Sequence, residues 1–442
     1  MGGAMVSGIL SAGENLRIAP GTDCHVEQLL GAGGQGEVYR VAVNGASYAL
    51  KWYYRHTATP EQWETLRVLI ESGPPDARFL WPTELVAEDT KPGFGYLMAL
   101  RDHHYKGISD LLKRQVTPTF RSLSTACANL PDAFLQLHAK GLCYRDISQG
   151  NMFFDPTSGN VLICDNDNVG VNGGPTSILG TPRYMAPEVV RGEELPSTQT
   201  DLYSLAVLLF LMLVFHHPLN GSREAAIHCL GPTAMRYLYG DKPIFIFDPD
   251  DHSNEPDPEY QKNALVFWPI YPTFLRRLFI KSFTEGIRDP VHGRVRETQW
   301  RTEMSRLRDS IFYCRCGAEN FYDAEALRQA GGAPGSCWNC PQQLQLPPRI
   351  RIGKTVVMLN HDSKLFAHHL EDGKSVDFSK SLGEVARHPT DATRWGLKNL
   401  SGESWSATTS DGSVREIGPG KSLSIAPGTR IHFGPAVGEF RL

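Results

Sequence analysis

The sequence predicts an α+β chain in several parts: a two-lobed body, β-rich first and helical second, then a small cysteine-bearing module and a C-terminal β-sandwich. Three observations carry this. Apolar and polar residues alternate around a glycine cluster between residues 24 and 55, as in Glu37-Val-Tyr-Arg-Val41, the period of twisted antiparallel strands. From about Ile108 the apolar spacing becomes helical, through Leu111, Leu112, Leu123, Ala126, Leu130, Phe134 and Leu137, and the last clear helix runs to about Leu307. Four cysteines in two close pairs then precede a linker, Pro341 to Pro348, and a Gly-, Ser- and Thr-rich tail with short alternating runs such as Arg430-Ile-His-Phe-Gly434.

At 442 residues the chain exceeds one average core and suits a large domain with smaller ones attached. The pattern changes place a body over residues 20–310, with lobes at about 20–100 and 101–310, a cysteine module over 311–345 and the β-sandwich over 349–442. Hydrophobic residues at 41% and charged residues at 21% are those of a globular protein. A formal charge of -4 offers no broad attraction to nucleic acid or to an anionic membrane, and neither is expected as a partner. The longest apolar run, Leu205 to Phe215, is too short to span a bilayer and reads as a buried core helix. Met1 to Leu10 lacks the basic start and long apolar centre of a secretory leader, so a cytoplasmic location is expected. Five of the nine cysteines are scattered, which argues against a disulfide framework.

The first chemical motif is Gly31-Ala-Gly33-Gly34-Gln-Gly36 followed by Val38, between two predicted strands. Glycines there let backbone N–H groups approach phosphate oxygens. Tyr48-Ala-Leu-Lys51 then places one lysine on an apolar strand, which suits an amine held against phosphates. That lysine needs an orienting carboxylate from a helix; the segment from Pro60 offers Glu61, Glu64 and Glu71, and spacing to the Phe79-Leu80-Trp81 strand favours Glu64. The second motif is Tyr144-Arg145-Asp146-Ile-Ser148-Gln-Gly-Asn151, followed by the strand Val161 to Cys164 and by Asp165-Asn-Asp167. An Asp able to accept a hydroxyl proton, an Asn five residues on and an Asp at a strand end are what phosphoryl transfer with magnesium requires. Asp165 follows the strand directly and is the expected metal ligand, rather than Asp167. As the commonest turn residues, Asp165 to Asn168 also fit a plain turn.

The third motif is Gly180-Thr181-Pro-Arg-Tyr184-Met-Ala186-Pro187-Glu188, with Asp201 at the head of the apolar helix and Arg294 much later. With these in order, residues 24 to 310 resemble the eukaryotic-like protein kinase superfamily. The resemblance implies a two-lobed protein-kinase fold, ATP and magnesium as cofactors and protein serine or threonine hydroxyls as acceptors. It implies Asp146, Lys51 and Glu64 as catalytic residues and Asn151 and Asp165 as magnesium ligands. Nucleotide contacts would come from Gly31, Gly33, Gly34, Gly36, Val38, Met98, Ala99 and Leu100, Met98 being the gatekeeper and Ala99 to Arg101 the hinge. It further pairs Glu188 with Arg294 and lets Asp201 brace the catalytic loop. The chain departs from the family at Tyr144, where a histidine is usual, at Asp165-Asn166-Asp167, where Asp-Phe-Gly is usual, and at Ser148, where a lysine usually steadies the γ-phosphate. With the cysteines, these variants resemble bacterial kinases that accompany a PP2C-type phosphatase and a von Willebrand A protein, which become expected partners. Thr176 and Ser177, between Asp165 and Ala186, are expected autophosphorylation sites with Arg145 as the phosphate's partner. A nucleotide-binding pseudokinase scaffold is the alternative, supported by Ser148; a small-molecule kinase is disfavoured by Ala186-Pro187-Glu188.

Cys314-Arg-Cys316 and Cys337-Trp-Asn-Cys340 supply four thiolates that match tetrahedral zinc in a closed, structural, zinc-ribbon-like site. Trp395 to Ser401, the Gly418-Pro-Gly420 turn and Ile431 to Gly434 make the tail resemble a forkhead-associated domain. Phosphothreonine readers place an arginine after an early-strand glycine; here Glu384 follows Gly383, so phosphate recognition is expected to be lost and protein binding retained.

Overall fold

The computed structural model describes residues 8–19, 22–87, 91–371, 373–388, 390–391 and 394–442. Most of the segment read for a leader, Met1 to Leu10, lies outside them. The first lobe is a six-stranded sheet of β1 (Asn15–Ala19), β2 (Thr22–Ala32), β3 (Gly36–Val43), β4 (Ala46–Tyr53), β5 (Glu84–Ala87) and β6 (Phe94–Ala99), in the order β1-β2-β3-β4-β6-β5. Alternation decides its faces: Tyr39, Val41 and Val43 of β3 join Cys24, Val26, Leu50 and Trp52 in one apolar cluster. Leu10 and Leu16 are buried in the same cluster, so the sheet begins ahead of the expected boundary at residue 20. Helix α1 (Pro60–Ser72) packs beside it, with Thr59 accepting from the Gln62 N–H at 3.2 Å, Pro60 in its first turn and Gly73 at its end with φ 65°.

The second lobe is helical, as the spacing predicts. Its centre is α2 (Phe120–Ala139) and α3 (Thr198–Val214), with α4 (Glu297–Asp309) closing over α2. The apolar run that begins at Leu205 is buried as expected, every residue as far as Val214 apart from Leu211. Phe215, with φ 55°, ends α3, and His216 and His217 donate to the carbonyl oxygens of Asn220 and Arg183 at 2.6 and 2.8 Å. Glu188 and Arg294, both buried, pair at 2.6 Å. One imidazole joins the three long helices: His138 of α2 meets Glu297 of α4 through Nδ1 and Asp201 of α3 through Nε2 at 3.1 Å.

Behind α4, a hairpin of Ile311–Tyr313 and Glu319–Phe321 carries the first cysteine pair at its turn. Phe321 packs on Phe120 with centroids 5.1 Å apart, and Trp338 on the same ring at 5.8 Å. The Glu319 carboxylate accepts from the backbone N–H of Phe120 and of Arg121, capping α2 with negative charge where the helix dipole favours it. The tail forms two antiparallel sheets around one apolar core. The larger runs in the order Thr355–Met358, Arg349–Ile352, Val437–Arg441, Arg430–His432, Trp405–Thr408, Val414–Ile417; the smaller in the order Lys364–Phe366, Ser381–Arg387, Trp395–Asn399, Ser422–Ser424. Its edge is fastened to the helical lobe. Asp362 holds Arg121 through two bonds of 2.9 and 3.1 Å, Asn360 donates to the Ile311 carbonyl at 2.6 Å, and Arg308 of α4 lies over the Phe378 ring at 4.2 Å.

The His138 bridge gives the fold a pH signature. Burial opposes its charge, but Asp201 and Glu297 outweigh that and raise its pKa from 6.5 to about 9. A raised pKa stabilises the fold fully below the unfolded value of 6.5, and that contribution drains away as pH rises through about 9. At most about 3 kcal/mol is at stake. Thermal melts between pH 6 and about 9.5 should show the midpoint falling over this window in the native protein, with the His138→Gln variant less stable at pH 6 and flatter above it.

Candidate active site

The site lies where the strand end of the first lobe faces the loop after α2. Asp201 sets that loop: its Oδ2 accepts from the Tyr144 N–H at 2.6 Å and its Oδ1 from the Arg145 N–H at 3.0 Å. Tyr144, in the place of a histidine, is buried and donates through its hydroxyl to the Cys164 carbonyl, tying the loop to the strand Val161–Ile163. Asp146 is thereby held between two donors. Thr181 Oγ1 reaches its Oδ1 at 2.6 Å, and the Asn151 amide reaches its Oδ2 at 3.0 Å.

Across a cleft of about 430 Å³ stand Gly33, Gly34, Gly36, Val38 and Lys51, with Asp146, Asp165 and Asn168 on the other wall and Ser177 to Gly180 at its mouth. The glycines divide in role. A Cβ on Gly36 would lie 2.1 Å from the Trp52 carbonyl oxygen, so strand packing alone demands glycine there, whereas Gly31, Gly33 and Gly34 face open space. Gly31, Met98, Ala99, Leu100 and Asn151 stand outside the walls of this cavity. Met98 is buried beside Ala49, with Val38, Leu100, Leu162 and Cys164 packed on the same cluster, an apolar surface next to the polar cleft.

The expected Glu64 contact does not form. Glu64 points to solvent, its side chain 57% exposed, and pairs with Arg67 of the same helix at 2.5 Å. The spacing argument failed on helical phase: α1 turns Leu66 and Leu69 inward, and Glu64 lies on the far side. Lys51 Nζ instead meets Asp167 Oδ2 at 2.8 Å, Asp165 Oδ1 at 3.6 Å and Gln35 Oε1 at 3.0 Å. The two acids differ in exposure. Asp165, with φ 47°, is 40% exposed and opens to the cleft, while Asp167 is wholly buried. Asn166 between them sends its amide to the Leu80 and Ile163 carbonyls, each at 2.9 Å. The sequence reading missed Gln35, Tyr53, Tyr96, Asp167 and Thr181; only Thr181, beside the Ala-Pro-Glu segment, stood in a motif that signals contact with Asp146.

Arg145 is turned toward Val171, whose carbonyl it reaches at 3.3 Å, and Ser148 is buried, contributing no charge. Among the described residues, Lys51 is the one cation in the cleft wall.

Residues 87–254 match the family model described as "Protein kinase domain". This chain carries a protein kinase domain. The match starts beyond the glycine loop and Lys51, so the first half of the cleft is known from geometry alone. The chain is 28% identical to CBL-interacting protein kinase 4 of Oryza sativa subsp. japonica over 40% of its own length and 41% of that protein. It is 30% identical to serine/threonine-protein kinase SRK2F of Arabidopsis thaliana, over 30% of its length and 44% of that chain. With protein kinase C delta type of Mus musculus it shares 36% identity over 20% of its length and 13% of the relative. It therefore spans less than half the length of each of these kinases.

The kinase domain's neighbour has a second cluster. The sulfurs of Cys314, Cys316, Cys337 and Cys340 all lie within 4.8 Å of one another, with Cys314 to Cys340 at 3.7 Å and Cys316 to Cys337 at 3.8 Å. A tetrahedron with zinc–sulfur bonds of about 2.3 Å has edges of about 3.8 Å, so the four thiols fit that ion. His368 and His369 beside Asp309 make a weaker case: His369 Nδ1 accepts from the Phe366 N–H at 3.1 Å and its Nε2 donates to Asp309 at 3.1 Å, leaving neither nitrogen for a metal. Elemental analysis of the purified chain should return one zinc per molecule. Cys337→Ser should abolish it and lower the melting temperature, because the hairpin that caps α2 loses its anchor.

Proposed function

We propose that this chain is an ATP-dependent protein kinase that phosphorylates serine or threonine side chains. The observation that carries the reading is Asp146, held by Thr181 and Asn151 and facing Lys51 and Asp165 across one cleft. Magnesium-bound ATP would supply the phosphoryl group together with the divalent charge that offsets it. The chain's part is positioning. Gly33 and Gly34 leave room for phosphates under the β2–β3 loop, Lys51 offers its ammonium to them, and Asn151 and Asp165 would hold magnesium. Asp146 accepts the proton of the incoming hydroxyl through an oxygen lone pair not used by Thr181 or Asn151. Met98, Ala99 and Leu100 supply the apolar side on which an adenine ring would rest.

A nucleotide-binding scaffold without transferase activity is the second reading, and the lone cation of the cleft favours it: with Ser148 in place of a lysine, Lys51 alone among the described residues of the cleft wall offsets charge at the far end of a triphosphate. Autophosphorylation belongs to the first reading, since Ser177 stands at the mouth of the cleft that Asp146 lines and Thr176 is its neighbour. The partners implied by the bacterial resemblance, a PP2C-type phosphatase and a von Willebrand A protein, rest on Tyr144, Ser148 and the Asp165-Asn-Asp167 variants. We read residues 311–345 as a zinc-ribbon-like module and 349–442 as a forkhead-associated-like β-sandwich that buttresses the helical lobe. The sandwich's expected repulsion of phosphate changes its ground: Glu384 is paired with Lys398 at 3.1 Å, and Gly383 lies mid-strand against Trp405.

Purified full-length protein incubated with magnesium and labelled ATP should transfer phosphate to a generic protein acceptor and to itself. Asp146→Asn should reduce both by roughly 100-fold or more, the scale of a lost general base. Nucleotide binding with no transfer by the native protein would favour the scaffold. Phosphopeptide mapping should find Ser177 or Thr176 modified in the active protein and unmodified in the Asp146→Asn variant.

A further inference from the structure

A lysine ammonium removed from water needs a carboxylate beside it, because burying that charge alone costs several kcal/mol. Lys51 is 4% exposed. No glutamate of α1 reaches it: Glu64 and Glu71 both pair with Arg67 on the outer face, and Glu61 lies in the exposed first turn. The helix residue that does face the cluster is neutral. Gln62 Nε2 donates to the Tyr53 hydroxyl at 3.0 Å and to the backbone carbonyl oxygen of Asp167 at 3.4 Å.

We propose that Asp167 is the positioning residue for Lys51, replacing a helix glutamate in the phosphoryl-transfer site; the proposal rests on the kinase reading above. Both of its oxygens are committed. Oδ1 accepts from Lys51 and from the Tyr96 hydroxyl, each at 3.0 Å, and Oδ2 from Lys51 at 2.8 Å and from the Tyr53 hydroxyl at 2.5 Å. Four hydrogen bonds from three donor groups satisfy a wholly buried carboxylate, which no solvent could do. Asp167 does not line the cleft, so it acts through Lys51 and leaves Asp165 free to meet a metal. β4, β6 and the Asp165 turn supply every one of these groups, so the ion pair takes no carboxylate from α1; Gln62 hydrogen-bonds to the cluster and Leu66 packs with its tyrosines.

The test uses the full-length protein, with thermal melts to verify folding. Asp167→Asn should lower kcat roughly 100-fold while the ATP KM moves within about 3-fold, as expected for a group that orients rather than binds. The triple variant Glu61→Gln, Glu64→Gln, Glu71→Gln should keep kcat within about 2-fold of native. Adding Gln62→Glu to Asp167→Asn returns a carboxylate to the cluster from the helix side and should recover about 10-fold, which a purely structural role for Asp167 would not allow. The proposal is overturned if Asp167→Asn keeps near-native kcat, if the triple variant loses activity comparably, or if Gln62→Glu recovers nothing. Should Asp167→Asn not fold, the Gln62→Glu, Asp167→Asn protein carries the test by itself: folded and active supports the proposal, folded and inactive sinks it. If the native protein transfers no phosphate, the kinase reading fails separately, and crystal structures of the native protein and of the triple variant decide the pairing. Lys51 Nζ within hydrogen-bond reach of Asp167 and of no α1 glutamate, in the native protein and in the triple variant alike, supports the pairing; any other partner in place of Asp167 overturns it.

Discussion

A single buried carboxylate, Asp201, decides where the chemistry of this chain can stand. Its two oxygens hold the consecutive backbone N–H groups of Tyr144 and Arg145, and Arg145 accepts a φ of 73° in return. Such a conformation costs a non-glycine residue about 1 kcal/mol or more, and two charge-assisted bonds offset it. Asp201 is itself paired with His138, which Glu297 supports from the opposite side. The position of Asp146 thus depends on an acid, an imidazolium and a second acid drawn from three helices. Hydrophobic packing brings those helices together, and the line of charges through His138 and Asp201 fixes the backbone of the loop.

The appended parts obey a related economy of charge. The first turn of α2 attracts acids: Glu319 from the cysteine hairpin accepts from two of its free N–H groups, and Asp362 from the C-terminal sheets takes Arg121. On the other face, Arg308 is shared between Thr125 and the rings of Phe366 and Phe378. Among the described residues, neither appended part lines the cleft, and both meet the helical lobe at the first turn of α2.

The parts of this molecule that were legible in the sequence are those where a short motif and its local conformation coincide. The glycine loop, Lys51 on an apolar strand, Asp146 with Asn151 five residues on, and the Cys-x-Cys and Cys-x-x-Cys pairs all lie within single turns or hairpins. The apolar run after Leu205 likewise announced a buried helix, since no exposed face interrupts it. What stayed hidden required distance. Glu64 and Gln62 differ by two positions, about 200° around a helix, and only the packing of Leu66 and Leu69 says which of them faces Lys51. Asp167 read as a turn residue because the tyrosines that bury it, Tyr53 and Tyr96, come from strands 114 and 71 residues away. The first strand escaped notice for a plainer reason: Asn15–Ala19 is only 5 residues long, and its pairing with β2 is what makes it a strand.

Helix α2 is a strut fixed at both ends. Its 20 residues span about 30 Å, with the cysteine hairpin and the C-terminal sheets gripping the first turn and His138 gripping the last. Pro131 removes one backbone hydrogen bond midway along it, so the two grips are joined by a helix whose ladder is interrupted once. The imidazole is one bond from Asp201, and Asp201 one bond from the loop that carries Asp146. The thiols of a peripheral module and the carboxylate of the cleft are therefore the two ends of one unbroken chain of contacts.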